Sequence, residues 1–100
     1  ASTVKRVGNL SVDEGAREVL RGDRTIELTR TEFELLRVLA RQPGRVVSRS
    51  VFAMEVWGYD QSGNVMEAHM SALRRKLEAH GDRCIHTVRG IGYVLRPTAT

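Results

Sequence analysis

The 100-residue sequence contains one cysteine and two prolines, and aromatic residues make up only 5% of it. The single cysteine, Cys84, cannot form an internal disulfide, so the sequence is typical of a reducing compartment and we expect the cytoplasm. We predict that Cys84 is a small buried side chain, because the residues around it are apolar and strand-like. The sequence also lacks any apolar run close to the roughly 20 residues that a membrane-spanning helix needs.

Motifs for metal binding and catalysis are missing as well. The histidines His69, His80 and His86 are scattered, and one cysteine gives no pair of thiolate ligands. No glycine-rich phosphate loop follows a predicted strand, and no Gly-x-Ser-x-Gly motif occurs. The carboxylates of Glu32 and Glu34 lie on a predicted exposed helix face and not in a cleft. We therefore expect no enzymatic activity, no metal and no cofactor.

What the sequence has in excess is positive charge. Its formal net charge is +4, and its sequence pI is about 10.0. Only Lys5 and Lys76 are lysines, so arginine carries most of the excess, and arginine suits bidentate contacts to phosphate and guanine. A basic domain favours a polyanionic partner such as nucleic acid. The length corresponds to one domain, residues 1–100.

The most informative segment runs from Asn64 to His80. Its apolar side chains recur at helical spacing and predict one buried stripe: Met66, Met70, Leu73 and Leu77. We expect Asn64 to cap the start of this amphipathic helix. Gly81 is expected to end the helix in the left-handed conformation.

The opposite face of this helix carries small and polar residues. They are Asn64, Ala68, Ser71 and Arg75. The small side chains, with Ala72 beside them, let the helix backbone come close to a partner, while Arg74, Arg75 and Lys76 can reach phosphates. A helix that lies in a DNA major groove needs this combination. The alternative interpretation is an ordinary surface helix whose charges are merely solvated.

The N-terminal part predicts a small antiparallel sheet. Alternating runs at Leu10–Val12, Glu18–Leu20 and Thr25–Leu28 are separated by turn residues, which is typical of a meander. The tripeptide Arg21–Asp23 matches a known adhesion motif, but we interpret it as a turn formed by its glycine and aspartate. Residues 1–6 are polar, and we interpret them as the remnant of a linker.

Two further helices are predicted between this sheet and the amphipathic segment. A capping box formed by Thr29 and Glu32 opens the first helix, which runs to Arg41. The second helix runs from Arg49 to Trp57, between a capping serine and a terminating glycine. Two roles are open to Trp57: part of the core, or donor of its indole N–H to an outside acceptor.

The C-terminal part predicts a β-hairpin. The sequence alternates from Ile85 to Leu95 around Arg89–Gly92, where the two glycines permit the turn. An arginine held at the tip of a two-stranded ribbon is well placed to enter a DNA minor groove. The alternative is a solvated turn charge. Residues 97–100 are predicted to form a tail.

Three helices followed by a hairpin with a basic tip form a winged helix-turn-helix layout. We therefore predict an α+β fold with an N-terminal antiparallel β-sheet, three helices and a C-terminal β-hairpin wing. Four segments resemble the OmpR/PhoB family, and the match covers nearly the whole chain. They are LTRTEFELL (28–36), VWG (56–58), HMSALRRKL (69–77) and TVRGIGY (87–93).

This resemblance implies a function. Members of the family are effector domains of bacterial two-component response regulators, controlled by an N-terminal phospho-acceptor receiver domain. They bind promoter DNA, usually as tandem pairs on direct-repeat half-sites. The resemblance also implies a fourth strand in the N-terminal sheet, the third helix in the major groove and Arg89 in the minor groove. Phosphate contacts are implied at Trp57, His69, Ser71 and Arg74.

The helix face and the resemblance together define the expected DNA-binding residues. They are Trp57, Asn64, Val65, Ala68, His69, Ser71, Ala72, Arg74, Arg75, Lys76, Thr87 and Arg89. Many family members carry an arginine or another long polar residue where this chain has Ala72, so a strong base contact is missing there. The loop in which some members touch RNA polymerase comprises Tyr59, Asp60, Gln61, Ser62 and Gly63.

An alternative function is a winged helix that contacts protein and does not bind DNA. Such a domain should carry apolar surface around its third helix and wing in place of cations. The cations at Arg74, Arg75, Lys76 and Arg89 favour the DNA-binding interpretation.

Overall fold

A computed structural model describes residues 3–61 and 63–97. Its N-terminal sheet has four antiparallel strands in chain order. They are β1 (Val4–Val7), β2 (Leu10–Asp13), β3 (Glu18–Arg21) and β4 (Arg24–Thr25). The predicted antiparallel meander is confirmed, and so is the fourth strand that the family resemblance implied.

Two N-terminal predictions are wrong in detail. Residues 4–6 are not linker, because they belong to β1, in which Val4 pairs with Asp13 and Val7 with Leu10. Only Val7 of this strand is buried, so it has no apolar repeat that would predict it. The last strand of the sheet is also shorter than the predicted Thr25–Leu28. The Ile26 N–H still donates to the Val19 carbonyl over 2.8 Å, and the chain leaves the sheet after this residue.

Helix α1 (Arg30–Arg41) begins at the predicted capping box. The Thr29 hydroxyl accepts from the Glu32 N–H over 3.2 Å, and the Glu32 carboxylate accepts from the Thr29 N–H over 3.0 Å. These two bonds satisfy N–H groups that have no partner within the helix. The expectation that Glu32 is exposed is wrong, because only 3% of the residue is accessible and its carboxylate is paired with a lysine.

The second helical segment is irregular. Strand β5 (Val46–Ser48) leads into helix α2 (Arg49–Phe52), and the Ser48 hydroxyl caps the helix by accepting from the Val51 N–H. From Ala53 to Trp57 the chain continues as a π-helical turn. The Gly58 N–H closes this turn on the Ala53 carbonyl over 2.9 Å, with Gly58 in the left-handed conformation at φ 85°. A single regular helix over Arg49–Trp57 was therefore an incomplete prediction.

Helix α3 (Val65–Glu78) has the predicted apolar stripe. Its four members are at most 1% exposed: Met66, Met70, Leu73 and Leu77. Of the two predicted caps, only the position of Asn64 is confirmed. Asn64 occupies the N-cap position, but its side chain makes no capping hydrogen bond. The helix ends at Glu78 with Ala79 as its C-cap, and Gly81 does not have a positive φ.

The C-terminal hairpin consists of β6 (Ile85–Val88) and β7 (Gly92–Leu95), and β5 joins it in the order β5-β7-β6. Gly90 allows the turn with φ 76°, and the Ile91 N–H donates to the Val88 carbonyl over 3.0 Å. Gly92 was predicted to permit the turn, but it lies in β7 and allows a close approach to β5. A Cβ at this position would overlap the Val47 carbonyl oxygen. This close approach lets β5 pair with β7.

One hydrophobic core joins the N-terminal sheet, the helices and the hairpin sheet. Its largest fully buried side chains include Leu10, Leu36, Phe52, Leu73 and Leu95. The layout is the predicted α+β winged helix-turn-helix fold. None of the helices in residues 3–61 and 63–97 is long and apolar enough to cross a membrane.

Candidate nucleic-acid interface

The face of α3 opposite the buried stripe is accessible. Its exposed residues are Asn64, Val65, Ala68, Ser71 and Arg75. The side chains in the middle of this face are short, so a partner can approach the helix backbone there. His69, Ala72 and Arg74 border the face and are half-buried. A flat strip of small residues with cations at its margin is therefore present as predicted from the sequence.

Arg74 connects α3 to the wing. Its guanidinium donates to the Thr87 hydroxyl over 2.8 Å, and its central carbon lies 5.6 Å from the centre of the Tyr93 ring. Thr87 is an exposed residue of β6. The two contacts hold a long cationic side chain at the border between α3 and the hairpin. A groove runs along this border, lined by Ser71, Arg74, Arg75, Glu78, Ala79, Arg83 and Thr87.

Trp57 and His69 lie together on the other border of the α3 face. Their ring centroids are 6.1 Å apart and the rings are tilted by 46°. Trp57 is half-buried and packs against the hydrophobic core. Of the two roles open to Trp57, these contacts fit packing against the core. The contact with His69 also shows that Trp57 lies beside the accessible face of α3.

Lys76 is placed differently from the expectation. Its ammonium nitrogen lies 2.7 Å from a carboxylate oxygen of Glu32, whose side chain is only 4% exposed. Burial alone would raise the pKa of Glu32, but the hydrogen bonds from Lys76 and Thr29 hold it below its ordinary value. The ammonium group of Lys76 is thus paired with a buried carboxylate of α1. Lys76 is therefore not one of the cations of α3 that extend freely into solvent.

The hairpin tip and the loop before α3 are both accessible. Arg89 is exposed in the turn, and Ile91 beside it is 58% exposed. In the predicted polymerase-contact loop, Tyr59 is 62% exposed, Asp60 and Gly63 are exposed and Gln61 is half-buried. Ser62 lies outside the described residues. Within residues 3–61 and 63–97 no three His, Cys, Asp or Glu side chains are grouped in a way that could hold a metal ion.

The family profile described as "Transcriptional regulatory protein, C terminal" matches residues 23–95. The chain belongs to the OmpR/PhoB family. It is 55% identical over 100 residues to the response regulator MprA of Mycolicibacterium vanbaalenii, and the match covers 97% of this chain and 43% of that protein. The chain therefore spans less than half the length of this relative.

Solved structures of OmpR/PhoB DNA-binding domains have the same fold. The DNA-binding domain of CpxR from E. coli superimposes with a TM-score of 0.85 at 37% identity, over 98% of this chain and all of that one. The DNA-binding domain of Klebsiella pneumoniae RstA, determined in complex with the RstA box, gives a TM-score of 0.83 at 30% identity. That match covers 94% of this chain and 97% of the RstA chain. These similarities identify the chain as a winged-helix effector domain of a response regulator.

Two cationic residues that contact α3 were not among the residues predicted from the sequence. Arg83 follows α3 and lines the groove between α3 and the wing, where its side chain pairs with Glu78 over 3.1 Å. Arg49 begins α2 and pairs with Glu67 of α3 over 2.9 Å. Neither lies in a periodic pattern or motif, so positive charge was the only signal for them.

The cations affect the pKa of a neighbouring histidine. His86 is half-buried on β6. Burial lowers its pKa, and the positive charges of Arg96, Arg83 and Arg74 lower it further. Three arginines close enough to lower this pKa indicate that this side of the wing has a positive electrostatic potential, which suits a polyanion.

Proposed function

We propose that this effector domain binds double-stranded promoter DNA sequence-specifically, with α3 in the major groove and Arg89 of the wing in the minor groove. The observation that carries this proposal is the bond between Arg74 and Thr87. Because it ties α3 to the hairpin, the small-residue face and the basic tip are presented to the same partner. The RstA domain, which has the same fold, was solved in complex with the RstA box.

Within this interface, some residues are proposed to contact phosphates and others to contact base edges. Trp57, His69 and Arg74 at the border of the face, Ser71 on the face and Thr87 on the wing are proposed to contact phosphates, which sets the orientation on DNA. Asn64, Val65, Ala68, Ala72 and Arg75 are proposed to approach base edges, where Val65 and the alanines can contact thymine methyl groups. Lys76 is expected to add only a long-range attraction, because it already pairs with Glu32.

The remaining partners are proposed for the longer protein to which such a domain belongs. We propose that a receiver domain controls it, that two copies bind direct-repeat half-sites in tandem, and that the protein acts in the cytoplasm. The accessible loop that begins at Tyr59 is proposed as a surface for RNA polymerase. Its exposed tyrosine and aspartate support this assignment, because both are accessible to a partner and precede α3 in the chain.

The test begins with selection of bound duplexes from a random pool. We expect a recurrent motif, and we expect two adjacent copies of it to raise the affinity per domain through effective concentration. Titrations of single-site and double-site duplexes at fixed salt measure that gain. Arg75→Ala, on the exposed face of α3, should weaken binding to the selected motif without altering the fold. If no motif is enriched, the DNA-binding proposal fails; equal affinity per domain on both duplexes would exclude tandem binding.

The alternative, a winged helix for protein contact, predicts apolar surface around α3 and the wing. The border between these elements instead carries Arg74, Arg75 and Arg83, and the wing tip carries Arg89. Their positive charge supports a polyanionic partner.

A further inference from the structure

Arg21, the last residue of β3, is a buried arginine. Only 5% of it is exposed, and within residues 3–61 and 63–97 no carboxylate forms an ion pair with it. A buried charge is costly unless hydrogen bonds replace the water that it has lost. The sequence alone indicated only a turn at this position. The contacts of its guanidinium therefore decide what the residue does.

The guanidinium donates to three separate segments. Its Nε donates to the Asn9 side-chain oxygen over 2.9 Å, in the turn between β1 and β2. One terminal nitrogen donates to the Leu77 carbonyl in the last turn of α3 over 3.2 Å, and the other to the Asp82 carbonyl over 3.0 Å. The Cys84 sulfur lies 3.6 Å from the nitrogen that contacts Leu77.

These contacts stabilise the C-terminal end of α3. The last carbonyls of a helix lack regular partners and carry the negative end of the helix dipole, so a cation there is favourable. Asp82 lies in the loop between α3 and β6, directly before Arg83 of the groove. One side chain of the N-terminal sheet thus holds both the end of the DNA-facing helix and the start of the loop to the wing.

The guanidinium of Arg21 occupies the space that a side chain at residue 81 would need. A Cβ at residue 81 would overlap the guanidinium atoms of Arg21. The backbone at Gly81 does not have a positive φ, so glycine is not needed there for the conformation. The absence of a side chain at residue 81 is instead explained by the presence of Arg21.

We infer that Arg21 is a positioning residue for DNA reading: it fixes the end of α3 and the α3–β6 loop against the N-terminal sheet, and so sets the spacing between helix and wing. This inference rests on the proposed DNA-binding function. Three other contacts join the same helix to its neighbours: Lys76 to Glu32 in α1, Arg74 to Thr87 in the wing, and Glu67 to Arg49 in α2. Arg21 adds the contact from the N-terminal sheet, at the Leu77 carbonyl.

The first experiment compares Arg21→Met with Arg24→Met. Arg24 is an exposed residue of β4 in the same sheet, so the control loses the same charge without losing buried hydrogen bonds. Affinity is measured for the selected duplex and for a mixed-sequence duplex of equal length, at a temperature where circular dichroism shows both variants folded. We expect Arg21→Met to bind the selected duplex about 2- to 30-fold more weakly, the range for substitutions that act on a site without touching the ligand. On the mixed-sequence duplex the two variants should bind alike, because non-specific binding depends mainly on charge and both substitutions remove one positive charge.

Hydrogen exchange supplies a readout that does not depend on DNA. In Arg21→Met, amide exchange should accelerate in the last turn of α3 and in residues 79–84, and remain unchanged in α1. Arg21→Lys keeps the charge but offers fewer directed donors, so it should restore part of the protection and part of the specific affinity.

The second experiment uses Gly81. In the wild-type background, Gly81→Ala should displace the guanidinium, lower the thermal midpoint and weaken specific binding. In the Arg21→Met background the same substitution should be neutral or raise the midpoint, because alanine reduces the freedom of the unfolded chain. This non-additivity is the signature of the proposed contact.

The outcomes separate the two proposals. If the wild-type domain selects no DNA motif, the proposed function fails, while hydrogen exchange and the Gly81 cycle still report whether Arg21 holds the helix end. If the wild type binds and Arg21→Met matches Arg24→Met on both duplexes, positioning by Arg21 is refuted. Additive effects of the Arg21 and Gly81 substitutions would refute the contact itself. If Arg21→Met does not fold, Arg21→Lys and Gly81→Ala provide the same comparison.

Discussion

The guanidinium of Arg74 lies 2.8 Å from the hydroxyl of Thr87 and so joins α3 to the first strand of the wing. Arg74 donates this bond and keeps further N–H groups for an outside acceptor, since a guanidinium has five. The hydroxyl of Thr87 therefore orients a cation that we propose as a phosphate contact.

Thr87→Val should weaken DNA binding. The substitution keeps the branched shape that suits a strand but removes the acceptor, so Arg74 loses its fixed orientation. The expected loss in binding free energy is about 0.5–1.5 kcal/mol, the usual net value of one hydrogen bond. Thr87→Ser keeps the hydroxyl and is the matched control. Titration of the selected duplex measures both variants, and equal affinities for valine and serine would show that the bond does not contribute.

Glu32→Gln should change the dependence of stability on pH. Despite its burial, the pKa of Glu32 lies below the ordinary value of 4.5, because Lys76 and Thr29 donate to its carboxylate. A lowered pKa gives stability that is present above the ordinary value and is lost as the pH falls through the folded-state pKa. Glutamine can still accept from the Thr29 N–H, so the variant isolates the charge.

Denaturant unfolding between pH 7 and pH 3 measures this effect. We expect Glu32→Gln to be less stable than the wild type at pH 7 and to lose less stability on acidification. Glu18→Gln, an exposed residue of β3, controls for general charge loss. Parallel pH curves for wild type and Glu32→Gln would show that the ion pair with Lys76 does not contribute to stability.

Leu73→Ala should destabilise the domain by about 2–5 kcal/mol, because it leaves a cavity under α3. Leu73 is fully buried, whereas Ser71, two residues earlier, is exposed on the face proposed to read DNA. Ser71→Ala should therefore stay within about 0.5 kcal/mol of the wild type in stability. Thermal and urea unfolding measure both. A normal melting temperature for Leu73→Ala would mean that the two faces of the helix had been exchanged.

The features that could be predicted from the sequence are those with a local pattern. The stripe that ends at Leu77 repeats at helical spacing, and the Thr29–Glu32 capping box spans four residues. Each is specified by neighbouring residues, and the structure confirms both. The family segments added the fourth strand of the N-terminal sheet, although its position at Val4–Val7 was not predicted.

The features that were missed depend on partners far apart in the chain. Arg21 meets Leu77 across 56 positions, and Lys76 meets Glu32 across 44. No periodicity connects such residues, so the sequence placed Arg21 only in a turn and Lys76 among the cations expected to reach phosphates. Strand β5 was missed for a related reason, because its three residues are recognisable only by their pairing with β7. Long-range hydrogen bonds thus fix α3 in ways that its own amphipathic pattern cannot reveal.

Arg89→Ala should weaken DNA binding without affecting the fold. Arg89 is exposed at the tip of the wing, and Gly90, with φ 76°, retains the turn in the variant. An arginine at this tip can enter a narrow minor groove, where the negative potential of A·T-rich DNA is enhanced. The loss of affinity should therefore be larger on duplexes with A·T-rich flanks than on duplexes with G·C-rich flanks.

The dependence of DNA affinity on salt concentration makes this last prediction quantitative. If Arg89 displaces about one counterion, the slope of log affinity against log salt should flatten by roughly 1 in Arg89→Ala. Arg24→Ala is the control, since it removes an exposed charge from β4 of the N-terminal sheet and should leave the slope unchanged. The measurement is a salt titration of the wild type and both variants on the two duplexes, with circular dichroism to verify folding. Identical slopes and affinities for wild type and Arg89→Ala would place the wing outside the DNA-contacting surface, and would favour a protein partner for that part of the domain.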